Sequence, residues 1–269
     1  MEAPRKIVVA LDSEEPLVEV FDEACALGKT FGAELVLVHA IPDAPPMTPN
    51  YDLIAERIGE VFDDLALRAQ THGASVDPAR YVRFGPPKTV IYEVIAETGA
   101  NWLVLGAANK TTVDYLLLGS TAEAIIRSAP VPVWLVRPGR AHKEPKEILC
   151  AFDGSDAARE ALEASLFLAR NFVGRLTLVS AGEEPVARQV LEDVRHQVDM
   201  HGVHVDSLVR PGNPSDEILG AVAELHPDLL VLGCAGRKGL ARLWHKNTAE
   251  RLVRRAPCSI LSLKAPALV

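Results

Sequence analysis

Short apolar runs alternate with longer amphipathic segments along the whole chain, and this alternation predicts strands and helices in turn. The runs at Lys6–Leu11 and Trp102–Leu105 are continuous, which is typical of strands buried on both faces of a parallel sheet. Segments such as Tyr51–His72 carry apolar residues three or four positions apart, the spacing of an amphipathic helix. The pattern therefore predicts an α/β fold built on doubly wound parallel sheets.

The first half of the chain contains five predicted strands and four predicted helices. The strands are Lys6–Leu11, Leu35–His39, Arg80–Arg83, Trp102–Leu105 and Val131–Val136, and the helices are Leu17–Phe31, Tyr51–His72, Thr89–Glu97 and Thr121–Ser128. Gly32 and Gly73 follow the first two helices and predict their ends. The stretch from Pro42 to Pro49 holds four prolines and is predicted to be a loop.

The same order of elements begins again after a charged stretch, Gly139–Glu147, which we interpret as a linker. The predicted strands are Ile148–Phe152, Leu176–Ser180, Val205–Arg210, Leu229–Leu232 and Ala256–Leu263, and the helices are Ala157–Phe172, Val186–Met200, Ser215–Glu224 and one beginning near Lys246. A chain of 269 residues accommodates two small domains. We therefore predict domains at residues 1–140 and 146–269.

A glycine-containing frame occurs once in each half and supports a duplication. A strand ends at Gly106, a loop follows, Gly119-Ser120-Thr121 begins a helix, and a strand introduced by Ala-Pro comes next. The second copy begins at Gly233, 127 positions later, while Asp12 and Asp153, which follow the first strand of each half, are 141 positions apart. Most of the difference is an insertion in the first half that includes the proline-rich loop.

The frame offers chemistry that suits a phosphate. Glycine lets the backbone approach a ligand closely, and the first turn of a helix presents unpaired N–H groups and a partial positive charge. A structural interpretation stays open, in which the glycines only make turns and Ser120 only caps its helix. The sequence has no Walker A motif, no G-x-G-x-x-G, no H-E-x-x-H and no G-x-S-x-G, so a dedicated catalytic set is not predicted.

The positions of the histidines and cysteines and the net charge argue against metal binding, redox chemistry and nucleic-acid binding. His196, His201 and His204 have no clear acidic or cysteine partner for a metal, and His39, at the end of a buried strand, is interpreted as a core histidine. The four cysteines have no metal or redox spacing, as expected for a reduced cytosolic protein. A net charge of −8 without a basic tract argues against nucleic acid as a partner. We expect a cytoplasmic location, with neither a signal peptide nor a membrane span.

The repeated frame G-x2-G-x9-G-[ST], with an early V-A-x-D-G-S pattern around Asp12 and Asp153, resembles a tandem universal stress protein. The resemblance covers nearly the whole sequence. It implies two tandem doubly wound five-stranded parallel-sheet domains with strand order 3-2-1-4-5, related by a pseudo-two-fold axis and paired through their last strands as an internal pseudo-dimer. A further homodimer stays open. ATP or a related adenine nucleotide is the candidate ligand, with Mg²⁺ as a candidate companion ion, although some family members do not bind ATP.

The resemblance also implies which residues would border the nucleotide. The Asp after the first strand lies by the adenine, backbone after the second strand borders the base, and the glycine loop holds ribose and phosphates. Carried over, the site residues are Asp12, Ala40, Gly106, Asn109, Gly119, Ser120 and Thr121 in the first half, and Asp153, Ala181, Gly233, Gly236, Lys246, Asn247 and Thr248 in the second.

Both halves depart from the family pattern. In the first, Asn109 stands where the second loop glycine is expected, and Ser13 follows Asp12 in place of glycine. In the second, Lys246-Asn247 replaces Gly-Ser, so a side chain stands where backbone should approach the ligand. The room for a ligand at the helix start therefore favours the first site, whereas the positive charge of Lys246 favours the second. We place the first site ahead, because phosphate binding at a helix start depends mainly on free N–H groups and room.

Three functions are weighed on this basis. The main hypothesis is a nucleotide-binding stress or regulatory protein without dedicated catalysis. The alternative is a scaffold or partner-binding protein whose loops have lost the nucleotide, which the insertion and the Lys246-Asn247 pair favour. An enzyme of the adenine-nucleotide hydrolase group would need an S-G-G-x-D-S-type loop after a strand, and the sequence has none.

Overall fold

The computed structural model describes residues 1–12, 17–42, 51–107, 118–137, 139, 144–197, 202–234 and 246–264. The described chain falls into two compact units, which we call the first and the second domain. The first contains the first six strands and four helices, and the second contains the remaining five strands and four helices. The predicted boundaries at 1–140 and 146–269, and the pairing of the domains through their last strands, stay predictions.

The first domain is a parallel sheet with helices in its connections. Its strands are β1 (Lys6–Ala10), β2 (Glu34–Ile41), β3 (Ser75–Val76), β4 (Tyr81–Phe84), β5 (Trp102–Gly106) and β6 (Val133–Val136), and its helices are α1 (Leu17–Phe31), α2 (Tyr51–His72), α3 (Pro87–Thr98) and α4 (Ser120–Ser128). β1 pairs with both β2 and β5, β5 pairs with β6, and β3 and β4 both pair with β2.

The second domain repeats this arrangement. Its strands are β7 (Glu147–Ala151), β8 (Arg175–Gly182), β9 (Val205–Pro211), β10 (Leu229–Cys234) and β11 (Ser259–Lys264), and its helices are α5 (Asp156–Phe172), α6 (Glu184–Gln197), α7 (Pro214–Leu225) and α8 (Lys246–Arg255). The order across the sheet is β9-β8-β7-β10-β11, with parallel pairing throughout. With β3 and β4 taken as one edge, both domains have the order 3-2-1-4-5. The expected fold class and strand order are confirmed.

The edge strand is interrupted in the first domain only. β3 is two residues long and β4 begins at Tyr81, whereas β9 in the second domain is continuous over seven residues. Asp77 and Pro78 lie in the gap, and the Asp77 carboxylate accepts the Ala79 N–H at 2.9 Å. Proline has no N–H to donate to a ladder, and an Asp side chain that bonds its own backbone favours a turn. The turn at Asp77-Pro78 therefore interrupts the edge strand of the first domain.

Several backbone contacts recur at the duplicated positions. Gly85 and Gly212 both have a positive φ, 132° and 135°, and their N–H groups donate to the carbonyl oxygens of Ile41 and Gly182. At the amino end of each sheet one side chain accepts two successive backbone N–H groups: Asn101 from Arg5 and Lys6, and Asp228 from Lys146 and Glu147. The duplication therefore extends from the sequence to individual hydrogen bonds.

The central strands form the core of each domain. Ile7, Val8 and Val9 of β1 and Leu229 to Leu232 of β10 have no exposed surface. Burial of this kind is the main stabilising contribution to the fold, at roughly 25 cal/mol per Å² of apolar surface. None of the helices that the structure describes has the length and apolar character needed to cross a bilayer.

Candidate functional site

The carboxyl ends of β1 and β5 are adjacent in the first domain, and the direction of the chain connections reverses between them. From β1 the chain continues to β2 on one side, and from β5 it continues to β6 on the other. In open parallel sheets, ligands bind in the crevice outside the strand ends at such a switch point, because the two loops lead away from each other. Asp12 follows β1 and Gly106 ends β5, so two predicted site residues border this point.

The N-cap residue of α4 is a glycine. This residue, Gly119, has φ −63° and ψ 147°, and it has no side chain that could accept the first N–H groups of the helix. By contrast, Ser155 and Asn213 accept such hydrogen bonds at the starts of α5 and α7. The interpretation of Ser120 as a cap is wrong, because Ser120 is already the first helical residue and a cap needs non-helical dihedral angles. The first turn of α4 thus presents N–H groups that suit an anion.

The remaining predicted residues of the first domain differ in exposure. Asp12, Ser120 and Thr121 are exposed, Ala40 is half-buried in β2, and Gly106 is buried. Asn109 lies outside the described residues. The side chains with hydrogen-bonding groups therefore face solvent, while the small residues lie in or next to the sheet.

His39 has a role at this edge that periodicity did not reveal. As expected of a core histidine it is buried, with 9% of its surface exposed, and its Nδ1 lies 2.7 Å from the carbonyl oxygen of Leu11. Leu11 directly precedes Asp12. From the sequence alone one could expect His39 to make a hydrogen bond, because buried polar side chains nearly always do. The sequence does not show which residue is its partner.

In the second domain Asp153 takes part in a local turn. Its Oδ1 accepts the Ser155 N–H at 3.0 Å, and Ser155 Oγ in turn accepts the Ala158 N–H at 3.2 Å, which caps α5. Gly154 between them has φ 78°, a conformation that a residue with a side chain adopts only at a cost of about 1–2 kcal/mol. The Asp153-Gly154-Ser155 pattern can therefore be explained by its role in starting α5, without a ligand.

Gly233 packs against the beginning of α5. A Cβ atom at this position would lie 2.2 Å from the carbonyl oxygen and 2.3 Å from the carbonyl carbon of Ala157. The absence of a side chain at Gly233 is therefore required by the fold, whether or not a ligand approaches. It follows that this glycine alone does not indicate a ligand site.

The other predicted residues of the second domain are less accessible than their counterparts. Ala181 is 7% exposed and Thr248 is 6% exposed, whereas Ala40 is half-buried and Thr121 is exposed. Lys246 and Asn247 are the first two residues of α8, and their side chains lie outside the described part of the structure. Gly236 also lies outside it.

No metal centre is formed by the described residues, which contain no group of three or more His, Cys, Asp or Glu side chains that could hold an ion. His204 Nε2 lies 3.4 Å from Asp206 Oδ2 on the surface. The side chains of His196 and His201 are not among those described. Of His196, His201 and His204, the structure therefore describes the side chain of His204 alone.

Cys234 comes directly after Gly233 and is half-buried, whereas the other three cysteines are buried. Its Sγ lies 3.1 Å from Ser262 Oγ, and desolvation of the sulfur raises the pKa of this thiol. Burial raises the pKa of Cys150 to about 12. Since the thiolate is the reactive form, both thiols are less reactive near neutral pH than an ordinary cysteine.

We expect a disulfide reagent to label the folded protein slowly and at Cys234 first. Because the pKa of Cys234 is raised, the labelling rate should still be increasing with pH between about pH 8 and 9, where the rate for an ordinary thiol levels off. Mass spectrometry of the labelled peptide locates the reaction, and Cys234→Ser is the control. Fast labelling that is independent of pH above 8 would contradict the burial of the sulfur.

The chain is similar in sequence to known proteins in both halves. A model of the Universal stress protein family matches residues 4–137 and 179–264. A universal stress protein of Methanocaldococcus jannaschii is 26% identical over 141 residues, which are 45% of this chain and 83% of that protein. A universal stress protein E homolog of Haemophilus influenzae is 28% identical over 168 residues, 52% of this chain and 54% of that protein.

Solved structures agree at the level of the fold. A universal stress protein from Archaeoglobus fulgidus has a TM-score of 0.80 at 19% sequence identity, with 97% of this chain and 98% of that chain covered. A protein of unknown function from Pseudomonas aeruginosa has a TM-score of 0.73 at 18% identity, covering 98% and 93%. Since the family model matches most of the sequence and both domains have the same strand order, this chain belongs to the universal stress protein family.

Proposed function

We propose that this protein binds an adenine nucleotide, ATP first, at the carboxyl edge of the first domain, and that it has no dedicated catalytic set. The observation that carries the proposal is the coincidence of a switch point between β1 and β5 with a helix start whose N-cap residue is Gly119. In the same family, one universal stress protein has been solved in complex with cAMP. That complex concerns the other protein and defines only the class of ligand to be tested here.

Each part of the edge suits one part of the ligand. The exposed carboxylate of Asp12 is an acceptor for an amino group of the base, and the backbone at Ala40 borders the same side. The first N–H groups of α4, with the hydroxyl groups of Ser120 and Thr121, suit the phosphates. A helix N-terminus stabilises a nearby negative charge by about 0.3–1 kcal/mol at an exposed site. Gly106 and Asn109 complete the proposed loop contacts, and Mg²⁺ would accompany ATP as its counter-ion.

Contacts in the second domain support placing the first site ahead. The side of Gly233 where a Cβ would stand is filled by the backbone of Ala157. The family pattern also has glycine where this chain has Lys246. Asp153, Ala181, Gly233, Gly236, Lys246, Asn247 and Thr248 therefore form the second candidate site, with a lower expected affinity.

Calorimetric titration tests the proposal. We expect ATP to bind with a dissociation constant below 1 mM, which is to say about −4 kcal/mol or better, at one site per chain. Asp12→Ala should weaken binding by about tenfold, because the substitution removes an acceptor that contributes roughly 1–2 kcal/mol. The matched variant Asp153→Ala should leave the affinity of this site unchanged. Titrations with and without Mg²⁺ separate the ion from the nucleotide.

Labelling of Cys234 reports on the second site independently. If ATP occupies only the first domain, saturating ATP should not change the labelling rate. Protection of Cys234 by ATP, together with loss of binding in Asp153→Ala, would move the site to the second domain. No heat of binding and no thermal shift at several millimolar ATP would reject the proposal altogether, since a ligand that binds only the folded state must stabilise it.

The second candidate function is a partner-binding protein without a nucleotide. It is favoured by the first turns of α2, where Leu53 is 65% exposed and Ile54 is 43% exposed, shortly after the proline-rich stretch from Pro42 to Pro49. Exposed apolar side chains that are neighbours on a helix are typical of an interaction surface. A folded wild-type protein that binds no nucleotide in the titration above would leave this candidate as the better one.

A further inference from the structure

His39 joins the two backbone segments that border the proposed base-binding edge. It belongs to β2, and its Nδ1 lies 2.7 Å from the carbonyl oxygen of Leu11, beyond the end of β1. The Leu11 N–H donates to the Val38 carbonyl at 3.0 Å, so the chain stays attached to β2 for one residue after the strand ends. Asp12 follows immediately on one segment and Ala40 on the other.

The chemistry of this contact defines the histidine tautomer. A carbonyl oxygen only accepts hydrogen bonds, so Nδ1 must carry the hydrogen and donate it. In the neutral ring Nε2 is then unprotonated. A donor held at 2.7 Å in a buried position restrains the Leu11 carbonyl, and with it the peptide plane that leads into Asp12.

We propose that His39 is a positioning residue of the nucleotide site, which fixes the direction of Asp12 relative to the backbone at Ala40. The inference rests on the proposed function of the first domain. His39 acts through Leu11 and does not itself need to touch the ligand. Pre-organising a carboxylate in this way avoids the entropic cost of ordering it when the ligand binds.

The second domain has a different residue at the position of His39. The backbone hydrogen bond is kept, with the Phe152 N–H donating to the Val179 carbonyl at 2.9 Å, but the residue that corresponds to His39 is the buried Ser180. Asp153 is held instead by its local turn with Ser155, which depends on Gly154 at φ 78°.

The sequence of the first domain does not favour the same turn. It has Ser13-Glu14 at the positions of Gly154-Ser155, so it lacks both the glycine and the capping serine. A residue with a Cβ disfavours a positive φ. Next to Asp12 the described contact is that of His39 with the Leu11 carbonyl oxygen, and at Asp153 it is the local turn with Ser155.

Three substitutions at one position separate the positioning role from mere packing. His39→Ala should weaken ATP binding by about five- to tenfold, the effect of one lost hydrogen bond in a preorganised site. His39→Asn places an amide N–H near the position of Nδ1 and should stay within about threefold of the wild type. His39→Gln, whose amide lies farther along the side chain, should behave like the alanine variant. Ser180→Ala is the matched control and should leave ATP affinity unchanged.

The proposal also requires that His39 act through Asp12. In an Asp12→Ala background, His39→Ala should therefore cost less than about twofold in affinity, because coupled residues are not additive. Full additivity of the two substitutions would overturn the positioning role. So would equal loss of affinity in the Asn, Gln and Ala variants, because loss of ring packing alone predicts that result.

A measurement without nucleotide tests the contact itself. Nitrogen-15 NMR of the imidazole groups should show His39 with Nδ1 protonated and Nε2 unprotonated, assigned as the signal pair missing from His39→Asn. The opposite tautomer would overturn the proposal. A wild-type protein that binds no ATP rejects the proposed function and this inference with it, whereas wild-type binding with full affinity in His39→Ala rejects the inference alone.

Discussion

Alanine at position 233 is expected to lower the free energy of unfolding by about 3 kcal/mol or more. The added Cβ would lie 2.2 Å from the carbonyl oxygen of Ala157, 2.3 Å from its carbonyl carbon and 2.6 Å from the backbone nitrogen of Ala158. These are backbone atoms in the first turn of α5, so no side-chain rotation can relieve the overlap. The helix has to move off the end of β10, against which it packs.

Gly220→Ala is the matched control for this substitution. Gly220 lies inside α7 of the same domain, and a Cβ there would meet no atom within 4 Å. Alanine should therefore raise stability by about 0.5–1 kcal/mol, through helix propensity and a less flexible unfolded chain. Urea unfolding followed by circular dichroism measures both variants. A Gly233→Ala protein as stable as the wild type would show that α5 does not pack so closely.

This result matters for how the glycine frame is interpreted. A loss of ATP binding in Gly233→Ala would follow from the displaced helix and would not show that Gly233 contacts a ligand. Variants that keep the fold, such as Asp12→Ala and Asp153→Ala, are therefore the informative ones for binding. The thermal stability of each variant has to accompany its titration, because an unfolded fraction lowers the apparent affinity.

Trp134→Phe is expected to lower the free energy of unfolding by about 3 kcal/mol. Trp134 of β6 is 2% exposed, and its Nε1 donates to Oε2 of Glu23, itself 2% exposed, at 2.6 Å. Phenylalanine removes this donor from a buried carboxyl group, at a cost of about 1–3 kcal/mol. It also leaves a cavity where the larger ring stood, which contributes roughly another 1–2 kcal/mol.

Trp102→Phe separates these two effects. Trp102 of β5 is also buried, with its ring centroid 6.4 Å from that of Trp134, so the substitution removes a similar volume from the same cluster. It keeps the hydrogen bond between Trp134 and Glu23. Guanidinium unfolding should show Trp134→Phe to be the less stable variant by about 1–3 kcal/mol. Equal stability of the two variants would mean that the hydrogen bond adds nothing to the fold.

The local pattern predicted the helices more accurately than the strand ends. The carboxyl ends of α1 and α2, at Phe31 and His72, agree with the prediction, because Gly32 and Gly73 stop these helices with positive φ values of 65° and 75°. β2 and β8 are longer than predicted, since outer residues such as Glu34 and Arg175 pair with neighbouring strands although they are polar. The two-residue β3 was missed, because so short a run has no periodicity to detect.

The candidate site could be predicted only in part. The sequence placed Asp12, Gly106 and the Gly119 helix start at one edge, since residues that end parallel strands share an edge. It did not reveal that Gly233 is needed for packing against α5, that Asp153 belongs to a helix-capping turn, or that His39 holds Leu11. Those facts depend on which side chains and backbone atoms meet in space.

By itself the sequence determined the duplication, the parallel α/β fold of each half and the edge at which a ligand is proposed to bind. These properties follow from hydrophobic period, glycine positions and equal spacings, which act over a few residues or repeat along the chain. Only the tertiary structure decided the partners of His39, Gly233 and Trp134. Leu11 is 28 positions from His39 and Glu23 is 111 from Trp134, and contacts over such separations are selected by the packing of whole elements.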